Sequence, residues 1–147
     1  MLTKSVLVLL VEDNEDHAEL VVRNLAEHQI ANTLIHVSDG QTALDYLFRL
    51  GRYADPLLSQ RPQLVLLDLR IPKVDGLEVL RTVKQSADLR QIPVVILTTS
   101  DAERDVARAY ELYANSYVVK PIGFEQFCDM IEDLGFYWMS WNRQPQM

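Results

Sequence analysis

The sequence is poor in cysteine, histidine and positive charge. Its one cysteine, Cys128, excludes a disulfide framework and a thiolate zinc site. The three histidines, His17, His28 and His36, lack metal-ligand spacing. Lysine and arginine number 14 against 21 aspartates and glutamates, a formal net charge of −7. That balance lacks the basic field needed to neutralise nucleic-acid phosphates or to dock on anionic lipid. Long hydrophobic runs are missing too. The longest, Val6 to Val11, is far below the roughly 18 residues of a membrane span. Acidic Glu12-Asp13 follows it where a signal peptide would carry a small-residue cleavage site. The expectation is therefore a cytoplasmic protein with neither a nucleic-acid nor a membrane partner.

What remains has an ordinary globular composition. Hydrophobic residues make up 48% and charged residues 24% of 147. That length predicts a single domain, 1–147, able to bury about two-thirds of its unfolded surface. Neither an internal repeat nor a low-complexity tract is visible.

Apolar runs alternate with helical patterns throughout. Ser5 to Val11, Gln63 to Leu67 and Ile92 to Leu97 read as strands buried on both faces. Thr33 to Val37 and Ser116 to Val119 are shorter strands. Ala18, Val21, Val22 and Leu25 mark a first amphipathic helix. Ser38 or Asp39 can cap a second, with Ala43, Leu44, Leu47 and Phe48 inward. A third helix spans about 76–87, with Leu80, Val83 and Ala87 inward. Ser100 and Glu103 form a capping box for a fourth, whose inner face is Val106, Tyr110 and Tyr113. The fifth spans about 124–139, with Phe124, Phe127, Ile131, Leu134 and Trp138 in one stripe. Strict alternation of five strands and five helices predicts an α/β fold: a doubly wound, five-stranded parallel sheet, flavodoxin-like, in the order 2-1-3-4-5.

Ligands of such sheets bind beyond the carboxyl ends of the strands. Glu12-Asp13, Asp68, Thr98 and Lys120 stand at four of those ends. Three carboxylates brought together oppose one another's ionisation, and a hard divalent cation with oxygen ligands resolves the conflict. An aspartate beside Mg²⁺ can act as a nucleophile toward phosphorus. Lys120 and Thr98 then supply the charge and hydroxyl that phosphoryl transfer requires.

These segments resemble a CheY-like receiver domain of a two-component response regulator. The resemblance rests on Val8-Leu-Leu-Val-Glu-Asp-Asn14, Leu66-Leu-Asp-Leu-Arg-Ile-Pro-Lys-Val-Asp-Gly76, Pro93-Val-Val-Ile-Leu-Thr-Thr-Ser100 and Tyr117-Val-Val-Lys-Pro121, and covers about 5–135. It implies Asp68 as phosphoacceptor and Mg²⁺ (or Mn²⁺) as cofactor. Asp13, Asp68 and the backbone carbonyl of Arg70 would be direct ligands, with Glu12 acting through water. It implies further that Thr98 and Lys120 hold phosphoryl oxygens, that Thr98 and Tyr117 form the switch, and that the Lys120–Pro121 bond is cis. The partner would be a sensor histidine kinase. Tyr46 to Pro56, the Thr-Thr-Ser tripeptide and Phe136-Tyr-Trp-Met-Ser-Trp141 are similar to regulators of bacterial phytochromes. That similarity implies a light-sensing kinase.

Other features are less specific. His17 falls near the site but has no evident activating neighbour, and Cys128 reads as a small buried residue. Arg49, Arg52 and Arg61 read as solvated, and Leu57 and Leu58 as exposed candidates for partner docking. The last helix carries a second apolar stripe. A homodimer is therefore expected through Phe127, Met130, Ile131, Leu134, Tyr137, Trp138 and Trp141, the last three in or near an aromatic extension, about 136–147. An unphosphorylated pseudo-receiver, serving only to bind or dimerise, is the alternative function.

Overall fold

Continuous apolar runs become interior strands. In the computed structural model, which describes residues 7–27 and 33–136, every residue of β1 (Leu7–Val11), β3 (Leu64–Leu67) and β4 (Val94–Thr98) is buried. β2 (Thr33–Val37) and β5 (Ser116–Val119) are only partly buried, because they form the edges. All neighbours pair in parallel, in the order β2-β1-β3-β4-β5. Five helices alternate with them: α1 (Glu15–Glu27), α2 (Gly40–Phe48), α3 (Gly76–Gln85), α4 (Glu103–Glu111) and α5 (Phe124–Phe136).

The period of two along each strand divides the core. Leu9, Val11, Val65, Leu67, Val94 and Ile96 pack with Leu47, Leu80 and Ala109 of α2, α3 and α4. Val8, Leu10, Leu66, Val95 and Leu97 pack with Val21 and Leu25 of α1 and with Phe127 and Ile131 of α5. Phe127 and Ile131 are therefore buried against this chain's own sheet, and an inward-facing side chain cannot also meet a second copy. Met130 and Leu134 are half-buried beside them. Tyr137, Trp138 and Trp141 lie outside the described residues.

Several helix faces differ from the sequence expectation. Asp39 caps α2, accepting from the Thr42 amide at 2.7 Å. The buried face of α2 includes Tyr46, whose hydroxyl donates to the Gln60 carbonyl at 2.7 Å, so a polar tip concealed a core residue. α3 stops at Gln85. Ala87 is consequently exposed, and Leu89 fills the core instead. α4 has no capping box. Its N-cap is Ala102, and the Ser100 hydroxyl donates to Asp105 instead. α4 buries Asp105 and Ala109, while Tyr110 and Tyr113 face solvent. In α5, Phe124 lies outside the apolar stripe, at 65% exposure.

The segment between α2 and β3 is ordered from within. A short 3-10 turn, Gly51–Tyr53, opens it. Ser59 is buried and donates to the Tyr53 carbonyl at 2.8 Å. Arg49 donates to the Ser59 carbonyl at 3.3 Å, and Arg61 donates to the Leu47 carbonyl. These two arginines are thus structural donors, not solvated charges. Leu57 and Leu58 project into solvent from this scaffold, as expected.

Candidate functional site

The strand order puts the ends of β1 and β3 side by side. A Cβ on Gly76 would lie 2.3 Å from the Asp68 carbonyl, so only glycine lets α3 begin this close to the β3 end. Just past β1, Glu12 is buried and Asp13 is exposed; just past β3, Asp68 is buried. One oxygen from each of these three carboxylates lies within 4.8 Å of the others. An all-oxygen donor set at this spacing fits a hard divalent cation.

Thr98, at the end of β4, and Lys120, just past β5, are also buried. The Lys120 ammonium donates to Asp68 Oδ2 at 3.1 Å and to Glu12 Oε1. The sequence-predicted acids, Thr98 and Lys120 are therefore brought together. The Lys120–Pro121 bond is trans, against the cis expectation; the two isomers differ by only about 0.5–1 kcal/mol before proline.

Lys120 makes a third contact that the sequence reading missed. It lies 3.0 Å from His17 Nδ1, and the His17 ring packs on Phe127 with centroids 5.4 Å apart. His17 is thus part of the wall of the site. Its position four residues after Asp13, in the helix leaving β1, was the available signal. Burial, then the Lys120 charge, lowers the His17 pKa. Cys128 is half-buried and meets the Asn24 amide at 3.4 Å.

The charges of the site are unequally shared. Burial pushes Glu12 up to about 7, with hydrogen bonding to Lys120 opposing and the Asp68 charge assisting. Burial would raise Asp68 as well, but the Lys120 charge and hydrogen bonds with Glu12, Thr98 and Lys120 hold it below the usual range. Of the two buried carboxyls, Asp68 is thus the one that ionises first and Glu12 the one that holds a proton longer as the pH rises. A carboxylate held ionised in a pocket, beside a buried cation and a hydroxyl, is equipped for nucleophilic attack on an electrophilic phosphorus.

Parallel α/β order and an acidic strand-end site define a class, and the chain belongs to it: the response regulator receiver domain family, whose model matches residues 8–132. It is 47% identical over 139 residues to the probable methanogenesis regulatory protein FilR2 of Methanothrix harundinacea, covering 95% of this chain and 87% of that protein. It is 41% identical over 133 residues to response regulator Rcp1 of Synechocystis, covering 90% and 88%. The crystal structure of Mn²⁺-bound Rcp1 matches with a TM-score of 0.90, 40% identity and coverage of 96% of this chain and 99% of that one. The phosphorylated cyanobacterial phytochrome response regulator RcpA matches with a TM-score of 0.92, 36% identity and coverage of 97% and 100%. The protein is a receiver-domain response regulator related to phytochrome response regulators. Among the described residues, no helix is long and apolar enough to cross a membrane.

Proposed function

We propose that the protein accepts a phosphoryl group from the phosphohistidine of a sensor histidine kinase onto Asp68. The observation that carries this reading is the buried Asp68–Lys120–Glu12 cluster, with Asp68 kept ionised. An Asp68 oxygen attacks phosphorus, the phosphorus–nitrogen bond to histidine breaks, and the imidazole leaves. Asp13, Asp68 and the Arg70 carbonyl would hold Mg²⁺ (or Mn²⁺) directly, and Glu12 through water. The cation supplies charge neutralisation for the phosphoryl oxygens. Lys120 and Thr98 each hold one of those oxygens. Thr98 and Tyr117 then relay the change to α4, β5 and α5.

The likeness to RcpA supports a phytochrome-type kinase as partner. The setting is the cytoplasm, and one receiver domain, about 5–135, carries the activity. Homodimerisation through Met130, Leu134 and the aromatic extension with Tyr137, Trp138 and Trp141 completes the reading. Sedimentation should show a dimer at micromolar concentration; a monomer with and without phosphorylation would remove that part.

The deciding experiment is incubation with a phosphorylated kinase or a small phosphodonor and Mg²⁺. The expected result is an alkali- and hydroxylamine-labile label on the wild type and none on Asp68→Asn. An unlabelled wild type would overturn the proposal.

Cation binding should also release the Glu12 proton. With Glu12 near 7, lowering the pH from about 8 to about 6 should weaken Mg²⁺ about tenfold, measurable by calorimetry. A dissociation constant that does not change across this interval would show that Glu12 ionisation is not linked to the cation.

A further inference from the structure

Asp105 is the one charged residue that α4 buries, at 5% exposure. Its Oδ2 accepts from Arg70 Nη2 at 2.6 Å and from the Ser100 hydroxyl at 2.6 Å. The Ser100 carbonyl in turn accepts from the Tyr117 hydroxyl at 2.8 Å. At the other end, the Arg70 amide donates to Asp68 Oδ1 at 3.3 Å. A polar chain therefore runs from the acceptor loop through α4 to β5: Asp68, Arg70, Asp105, Ser100, Tyr117.

The two members of the ion pair differ in freedom. The Arg70 side chain is 55% exposed and the Asp105 side chain 7%. The guanidinium can turn through solvent, whereas the carboxylate cannot follow it. A phosphoryl group on Asp68 would bring about two negative charges and several acceptor oxygens two residues from Arg70. Guanidinium is the side-chain cation best shaped for such oxygens. The two anions would compete for it.

We propose that Asp105 is a positioning residue: it stations the Arg70 guanidinium on α4 while Asp68 is unmodified and yields it when the phosphoryl group arrives. Ser100 then still donates to Asp105, and its contact with Tyr117 carries the change into β5. The proposal rests on Asp68 as phosphoacceptor and names how that site would signal.

The test uses beryllofluoride, a stand-in for a carboxylate-bound phosphoryl group, with saturating Mg²⁺ and ¹⁹F NMR of the bound species. Binding to the wild type that is lost in Asp68→Asn checks the acceptor itself; no binding to the wild type would sink that reading and this proposal together. Asp105→Asn keeps the shape and an acceptor for Ser100 but releases Arg70. It should bind beryllofluoride about fivefold more tightly, the scale of a partly exposed ion pair. Arg70→Met alone should bind about fivefold more weakly. In the Arg70→Met background, Asp105→Asn should change nothing. Unchanged or weaker binding by Asp105→Asn, in a protein that still binds at Asp68, overturns the proposal. So does a gain that persists without Arg70, since Asp105 would then act through α4 structure alone. If Asp105→Asn does not fold by circular dichroism, the Arg70→Met affinity decides, and an unchanged value overturns the proposal.

Discussion

Replacing Lys120 by methionine should destabilise the metal-free protein by about 3 kcal/mol at pH 8, because removing one partner strands buried opposite charge. The side chains of Lys120 and Glu12 are each only 2% exposed, and Lys120 also faces Asp68. Without the ammonium, two carboxylates share a pocket with no buried cation. The loss should shrink toward pH 6. Burial already pushes Glu12 up to about 7, and without Lys120 it would hold its proton more tightly still. A carboxyl whose folded pKa exceeds its unfolded value lowers stability as pH rises between the two values. The wild type should show this decline from about 4.5 to about 7, and the variant should carry it on to higher pH. Urea unfolding at both pH values, without divalent cations, measures it. Equal losses at pH 6 and pH 8 would sink the electrostatic account.

Phe127→Ala should cost about 3–4 kcal/mol, the range for emptying an aromatic site in a packed core. Phe127 is buried with Val21, Leu25 and Ile131 between the sheet and α1, and it supports the His17 ring. The loss should not depend on protein concentration, because the contacts lie within one chain. Thermal unfolding across a hundredfold dilution separates the alternatives. A penalty that vanishes on dilution would return Phe127 to an interface between copies.

The architecture was legible because the interior strands are continuous apolar runs and the helices alternate with them without a break. The acceptor cluster was legible for a related reason: strand ends are fixed by hydrophobicity, and charged residues immediately beyond them fall on one edge. Long-range polar partners were not legible. Val106, Tyr110 and Tyr113 have the spacing of an inner face, yet α4 turns Asp105 inward because Arg70 and Ser100 satisfy its carboxylate. The same pairing takes Ser100 away from the capping box. Tyr46 was hidden because its hydroxyl finds the Gln60 carbonyl, a contact that no periodicity announces. His17 was expected near the site, but its contact with Lys120, more than a hundred residues along the chain, was not legible.

The segment between α2 and β3 looks like an open invitation to a protease, being largely exposed. Cleavage requires that a stretch be drawn out, and here the clasps through Ser59, Arg49, Arg61 and the Tyr46 hydroxyl must break first. Limited digestion should therefore spare it. Its anchors also sit where the sheet begins, at the end remote from Asp68, and closing a longer loop costs little. This stretch can lengthen, shorten or change its displayed leucines over evolutionary time while the chemistry at the other end is left alone.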